Sequence, residues 1–339
     1  MNEESLAATA CAIVTPGKGI LAADESNPTM AKRLAQIGQE STATKRRDFR
    51  QALFETAGLE QYIAGVILFE ETLEQVTEDG RRLSGILESK GIIPGIKVDK
   101  GAHPMEHSPA EKLTKGLDGL AARCVNYRAS GARFAKWRAV IAIGDGIPTD
   151  DCIQANAGAL ARYARICQEA NLVPIVEPEV LMDGAHSIET CYDVSVRTFR
   201  IVFDALKREG VGLRGMLLKP NMVVSGKDCA EQADAETVAA LTLKCLKASV
   251  PAEVPGMVFL SGGQSELEAT RNLNAINSQG TYPWALSFSF GRALQHSALH
   301  AWNGDNGNIA AAQAALLHRA AMSSKASLGR YSPEMEKPA

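Results

Sequence analysis

Eight short apolar runs alternating with helical stretches predict a single-domain α/β fold, the (β/α)8 or TIM barrel, for this 339-residue chain. Three observations carry the expectation. The runs, at 19–24, 64–70, 93–99, 134–143, 173–180, 215–220, 257–262 and 286–291, are mostly rich in Val, Ile, Leu and Phe, as strands buried on both faces are. The stretches between them carry helix caps or apolar residues every three or four positions. Charged residues or glycines close each run at its C-terminal end, where this fold builds its active site. Periodicity counts strands without showing that they close, so a doubly wound open sheet is the alternative at this level.

Between the runs, Ser108-Pro109-Ala110-Glu111 has the capping-box pattern with Pro at the first helical position, and predicts a helix start. Ser265-Glu266-Leu267-Glu268 repeats the cap pattern. Ile188, Tyr192, Ser195, Phe199, Phe203 and Leu206 mark one buried helix face, with Ser195 its single polar lapse. Val238, Leu241 and Cys245, and the segment 308–322, behave similarly. The barrel is expected over 1–330, followed by a short polar tail at 331–339.

Composition excludes several classes. A formal net charge of -3 gives no general attraction to nucleic acid or anionic membranes, so an anionic substrate would need a local cationic pocket. No apolar run approaches the ~18 residues of a membrane span. The first residues carry Glu3 and Glu4 and no cationic segment, which argues against a targeting peptide and for a cytoplasmic protein. Seven cysteines, an odd number without a Cys-x-x-Cys pair, read as reduced thiols.

The strand ends hold Asp24, Glu70, Lys97 with Asp99, Lys136 with Arg138, Glu177 with Glu179, Lys219, Ser261-Gly262-Gly263, and Gly291-Arg292. Residues two apart on a strand share a face, so Lys136 and Arg138, like Glu177 and Glu179, should enter one cavity together. Lys219 follows the apolar Met216-Leu217-Leu218. Loss of water and neighbouring cations such as Lys136 and Arg138 both favour the neutral, nucleophilic amine. A lysine snorkelling from the strand end into solvent fits that segment equally. Glu177 and Glu179 could move protons beside such an amine, or simply form ion pairs with the lysines. The Ser-Gly-Gly and Gly-Arg segments suggest backbone N–H groups and a guanidinium around a phosphate. Metal chemistry finds little support. His296 and His300 could share a helix face, but neither that pair nor His103 with His107 brings a third ligand.

Taken together, Leu21-Ala22-Ala23-Asp24-Glu25-Ser26, Ile96-Lys97-Val98-Asp99, Ala135-Lys136-Trp137-Arg138, Val176-Glu177-Pro178-Glu179, Leu217-Leu218-Lys219-Pro220-Asn221-Met222, Leu260-Ser261-Gly262-Gly263-Gln264 and Gly291-Arg292-Ala293-Leu294-Gln295 resemble the class I fructose-bisphosphate aldolases, in family order. The resemblance runs from about residue 5 to 332. It implies a metal-independent, cofactor-free lyase that reversibly cleaves fructose 1,6-bisphosphate to two triose phosphates, and a homo-oligomer, often a tetramer. Lys219 matches the Schiff-base lysine and Glu177 the acid/base that assists it. Glu179 matches a residue orienting the lysines, and Asp24 the carboxylate at the fourth-carbon hydroxyl. Lys136 matches a lysine polarising the substrate. Lys97 and Arg138 match substrate contacts. Ser261, Gly262, Gly291 and Arg292 match one phosphate loop, and Ser26 and Arg33 match groups near the other phosphate. The two phosphate clusters are expected on opposite sides of Lys219.

Another Schiff-base barrel aldolase or a transaldolase acting on a sugar phosphate is the nearest alternative. A binding protein that kept the fold and lost activity is a further one. The chain departs from the resemblance at its end. Many members close on a tyrosine that helps protonate the enamine, whereas this sequence reads Lys337-Pro338-Ala339, and Tyr331 aligns with an earlier segment.

Overall fold

The computed structural model describes residues 3–337. Met1, Asn2, Pro338 and Ala339, parts of the two chain ends considered above, lie outside the described residues. In chain order the strands are β1 (Gly19–Ala23), β2 (Ile63–Leu68), β3 (Ile93–Lys97), β4 (Ala102–Met105), β5 (Ser108–Thr114), β6 (Phe134–Ile141), β7 (Val173–Val180), β8 (Leu217–Leu218), β9 (Gly256–Phe259) and β10 (Ala285–Phe290). The helices are α1 (Glu3–Ile13), α2 (Asn27–Ala35), α3 (Ala43–Glu55), α4 (Glu70–Glu74), α5 (Leu83–Ser89), α6 (Leu120–Ala129), α7 (Asp150–Glu169), α8 (Ile188–Arg208), α9 (Ala235–Ser249), α10 (Glu266–Ser278), α11 (Arg292–Trp302) and α12 (Ile309–Ser327).

Eight strands close into a parallel barrel in the order β1-β10-β9-β8-β7-β6-β3-β2. Closure excludes the open sheet. All eight apolar runs become barrel strands, most a residue or two shorter than the run that predicts them and 215–220 reduced to two residues. The helices wrap the barrel, so the strands face apolar neighbours on both sides, which is why their sequences do not alternate. One core lies between strands and helices. A second fills the barrel itself, where Ile20, Ile67, Phe134, Ile175, Leu217 and Val258 meet Leu6, Ala10 and Ile13 of α1. Those last three, spaced four and three apart, form one face of α1 and plug the barrel floor. Phe134 packs there over Gly95, where a Cβ would come within 2.1 Å of its ring. Glycine in mid-strand is therefore required for this packing.

The helix predictions hold on α8, where Ile188, Ser195, Phe199, Phe203 and Leu206 are buried. They hold on α10 too, where Ser265 and Glu268 form the reciprocal capping box. The prediction at Ser108 does not hold. The segment forms β5, paired antiparallel with β4 in a hairpin outside the barrel. Glu111, needed for the local cap, instead accepts from the Thr149 N–H and hydroxyl, both at 2.8 Å. Thr149 is the N-cap of α7, so the carboxylate serves a long-range partner. At the other end, Tyr331 is buried in the core, and Pro333–Glu336 form a short 3-10 helix. Glu336 bonds Arg319 at 2.5 Å and the His318 ring at 2.8 Å.

Candidate active site

Alternation along the barrel strands sets where apolar packing ends and chemistry begins. Phe134 and Ile175 point into the barrel core, so Lys136 and Glu177, two residues on, point into its mouth. Arg138 and Glu179 follow one step higher. The thirteen residues predicted from sequence all line one cavity of about 260 Å³ at this C-terminal face. They are Asp24, Ser26, Arg33, Lys97, Lys136, Arg138, Glu177, Glu179, Lys219, Ser261, Gly262, Gly291 and Arg292.

Lys219 does not snorkel. It is 5% exposed, and its Nζ lies 3.1 Å from Glu177 Oε1. Lys136, 4% exposed, reaches Asp24 Oδ2 at 2.7 Å and Glu177 Oε2 at 3.3 Å. A lysine–carboxylate chain thus runs Lys219, Glu177, Lys136, Asp24. Glu177 Oε2 is buried and accepts no hydrogen bond among the described residues. Burial alone would raise the Asp24 carboxyl, but Lys136 and then Lys219 pull it down to about 2. Burial alone would likewise favour neutral Lys136, yet Asp24, Glu177 and Asp99 hold its ammonium above the usual lysine range. Asp24 and Lys136 are therefore an ion pair at neutral pH. Arg138 bonds Glu179 and keeps its side chain 45% exposed. The cations expected to act on Lys219 thus arrive with their own carboxylate partners.

The phosphate-type groups differ from expectation in one respect. Ser261 and Gly262 follow β9, Gly291 and Arg292 follow β10, and Ser26 and Arg33 follow β1. These three strands are neighbours in the ring, and Lys219 directly follows β8 beside them. The two clusters therefore form one continuous arc on the β9 side of Lys219, not opposite flanks. Sequence order hides this, because β1 and β10 meet only when the barrel closes. Gly262 adopts the left-handed region at φ 55, and its carbonyl accepts from Arg292 at 2.9 Å, tying two loops of the arc together.

Several contributors were missed in the sequence. Glu25 and Thr29 line the cavity. Glu25 bonds Arg33 and accepts from Gln295 Nε2 at 2.9 Å, so it aims a predicted cation. Its signal was its place beside Asp24 at a strand end. Asp99 holds Lys97 at 2.6 Å and the Arg138 N–H at 3.3 Å. The Lys97/Asp99 spacing pointed to it. Gln295, one turn into α11, had no signal beyond the helix. His296 and His300 stack on α11 with ring centroids 4.5 Å apart, and no group of three metal-ligating side chains occurs among the described residues.

A deep-set lysine paired to a glutamate, a second lysine on an aspartate, and an anion arc beside them suit covalent chemistry on a phosphorylated carbonyl compound. Residues 5–339 match the profile of the Glycolytic family, fructose-bisphosphate aldolase class-I. The chain belongs to the class-I fructose-bisphosphate aldolases. It is 54% identical over 332 residues to a probable class 1 fructose-bisphosphate aldolase of Xanthomonas campestris, covering 98% of this chain and 99% of that one. It is 53% identical over 327 residues to the cytosolic fructose-bisphosphate aldolase 4 of Arabidopsis thaliana, covering 96% and 83%. A Plasmodium falciparum fructose-bisphosphate aldolase, solved in complex with TRAP and a small-molecule inhibitor, superposes with TM-score 0.96 at 52% identity over 97% of this chain and 96% of that chain. Aldolases of this class are metal-independent lyases that work through a Schiff base, and the barrel architecture matches. Among the described residues no helix is long and apolar enough to cross a membrane.

Proposed function

We propose that this aldolase reversibly cleaves fructose 1,6-bisphosphate to dihydroxyacetone phosphate and glyceraldehyde 3-phosphate, with Lys219 as the covalent amine. The observation that carries the assignment is the 3.1 Å contact between Lys219 Nζ and Glu177 Oε1 in a pocket that also holds the Lys136–Asp24 pair.

Lys219 passes a proton to Glu177 and attacks the ketone carbon through its amine, and Glu177 returns the proton that lets the hydroxyl leave as water. The product is an iminium, which draws electrons toward nitrogen. Asp24, ionised because of Lys136 and Lys219, accepts the proton of the fourth-carbon hydroxyl. The bond between the third and fourth carbons breaks, its electron pair moves into the iminium, and the aldehyde triose departs. The enamine left on Lys219 takes a proton on carbon, and water hydrolyses the resulting imine to release the ketose triose. Lys136 holds charge between the two carboxylates. Glu179 and Arg138 fix each other beside them. Ser261, Gly262, Gly291 and Arg292 hold one phosphate, and Ser26 and Arg33 the other. Lys97, set by Asp99, approaches the substrate from β3.

The working setting is glycolysis or gluconeogenesis in the cytoplasm, as a homo-oligomer such as a tetramer, with a sugar bisphosphate and triose phosphates as ligands and no nucleic-acid or membrane partner. Borohydride reduction with dihydroxyacetone phosphate, followed by peptide mapping, tests the central claim. The adduct is expected on Lys219 and absent in Lys219→Met. An adduct on Lys136 instead would overturn the assignment.

A further inference from the structure

The strand that carries Lys219 has the shortest ladder in the barrel. β8 has two residues, paired with Ile175 and Val176 of β7 and, through Leu218, with Met257 of β9. One proline accounts for this on the β7 side. Backbone groups of Val176 and Val180 turn toward β8, whereas those of Val173 and Leu181 turn toward β6. By that alternation Pro178 falls on the β8 side, where it has no N–H to give. Pro220, directly after Lys219, turns the other way, and its carbonyl accepts from the Leu260 N–H at 3.1 Å on the β9 side. The ladder ends at the bond from the Lys219 N–H to the Val176 carbonyl, 2.8 Å. Beyond it, β7 and the segment after Lys219 share no backbone–backbone bond among the described residues.

The side chain of Asn221 spans this gap. Its Oδ1 accepts from the Val180 N–H at 3.1 Å. Its Nδ2 donates to Ser195 Oγ at 3.1 Å and to the Met222 carbonyl at 3.1 Å. An N–H can only donate and a carbonyl can only accept, so the amide orientation is fixed by its partners. Asn221 is 4% exposed and Ser195 is fully buried. The polar lapse in the apolar face of α8 is thus the anchor of this amide.

We infer that Asn221, held by Ser195, is a positioning residue: it closes the β7–β8 seam that Pro178 leaves open, and so sets the separation of the Lys219 amine from the Glu177 carboxylate. Those two groups sit on opposite sides of the seam, and their 3.1 Å spacing lies near the outer limit for direct proton transfer. A small widening takes them out of range. The phosphate arc follows β9, β10 and β1, which Asn221 does not bond, so substrate affinity should change less than turnover. The inference rests on the reading of Lys219 as the covalent amine.

Four variants test it. Asn221→Ala should lower kcat roughly 10- to 100-fold, the scale of a misplaced catalytic group, with KM for fructose 1,6-bisphosphate within about threefold. The rate of borohydride-trapped adduct formation should fall in parallel, with the adduct still on Lys219. Ser195→Ala keeps the helix intact and should move kcat the same way by roughly two- to fivefold, because one of two Nδ2 partners remains. It decides the matter if Asn221→Ala does not fold. Thr242→Ala is the control. It removes a comparably buried bond from the Val223 N–H, 2.9 Å, two residues further along the same segment but away from the seam. It should lower Tm and leave kcat unchanged. If Asn221→Ala and Ser195→Ala lose Tm as Thr242→Ala does while kcat stays within about twofold, Asn221 is structural only and the inference fails. An adduct that persists in Lys219→Met would overturn the proposed function itself, whatever the seam variants do.

Discussion

The two ends of the barrel interior are built from the same strands to opposite purposes. At the floor, Phe134, Ile175 and Leu217 pack against Leu6, Ala10 and Ile13 of α1 in an interior without charge. At the mouth, two residues further along the same strands, Lys136, Glu177 and Lys219 form a paired and buried polar cluster. The floor gains from removing water from carbon. The mouth carries the cost of desolvating charges, which only mutual pairing offsets. Stability should therefore reside at one end and function at the other.

The largest effect that would break this division is at the floor. Phe134→Ala should cost about 3–5 kcal/mol of stability, because a fully buried aromatic leaves a cavity over Gly95 that neighbours cannot refill. At a temperature where the variant is folded, kcat/KM should stay near the parent value. Denaturant unfolding with steady-state assays on the same sample checks both, and an activity loss without a stability loss would show that the floor positions the mouth.

Arg292→Ala acts the other way, on binding without stability. Arg292 is exposed at the rim and donates to the Gly262 carbonyl, so the expected loss is about 2 kcal/mol in fructose bisphosphate binding, the low end for removing one partner of a charge pair. An unphosphorylated ketose should be affected far less. Equal losses for both substrates, measured by KM and by inhibitor binding, would make Arg292 structural.

How far the sequence disclosed these two ends is itself instructive. Strand count and strand positions were readable, because a doubly buried strand must be apolar throughout. The cluster at the mouth was readable because charged residues at strand ends have nowhere else to point. Contacts made across long loops were not. Glu111 looked like a local cap and serves Thr149. The anion arc looked like two separate sites until β1 met β10. Ser195 looked like a lapse because its partner, Asn221, lies on another element. In each case a tertiary partner, not the local pattern, decided the outcome.

The mouth also predicts an acid response. The Asp24 carboxyl falls from an ordinary 3.8 to about 2 in the folded protein. A lowered carboxyl contributes stability that is present above pH 4 and is lost as pH falls through about 2, on the order of 2 kcal/mol in this window. Asp24→Asn should therefore show a shallower loss of stability between pH 4 and 2 than the parent, followed by urea midpoints. Identical slopes would mean that Lys136 and Asp24 are not paired in solution.

The smallest expected effect is at the C-terminal segment. Here residues 334–337 contribute nothing to the cavity lining, and Glu336 is engaged by Arg319 and His318 on α12. Removal of 334–339 should leave turnover within about twofold. It should lower stability by about 1 kcal/mol, since Arg319 is buried but keeps its bond to Thr270 at 2.8 Å. Proton delivery to the enamine then comes from within the barrel, where Glu177 lies 3.1 Å from Lys219 Nζ. Cleavage and exchange of the dihydroxyacetone phosphate methylene proton should be measured side by side in the truncated protein. A large selective loss of exchange with cleavage intact would show that the segment folds over the mouth during turnover and delivers the proton itself.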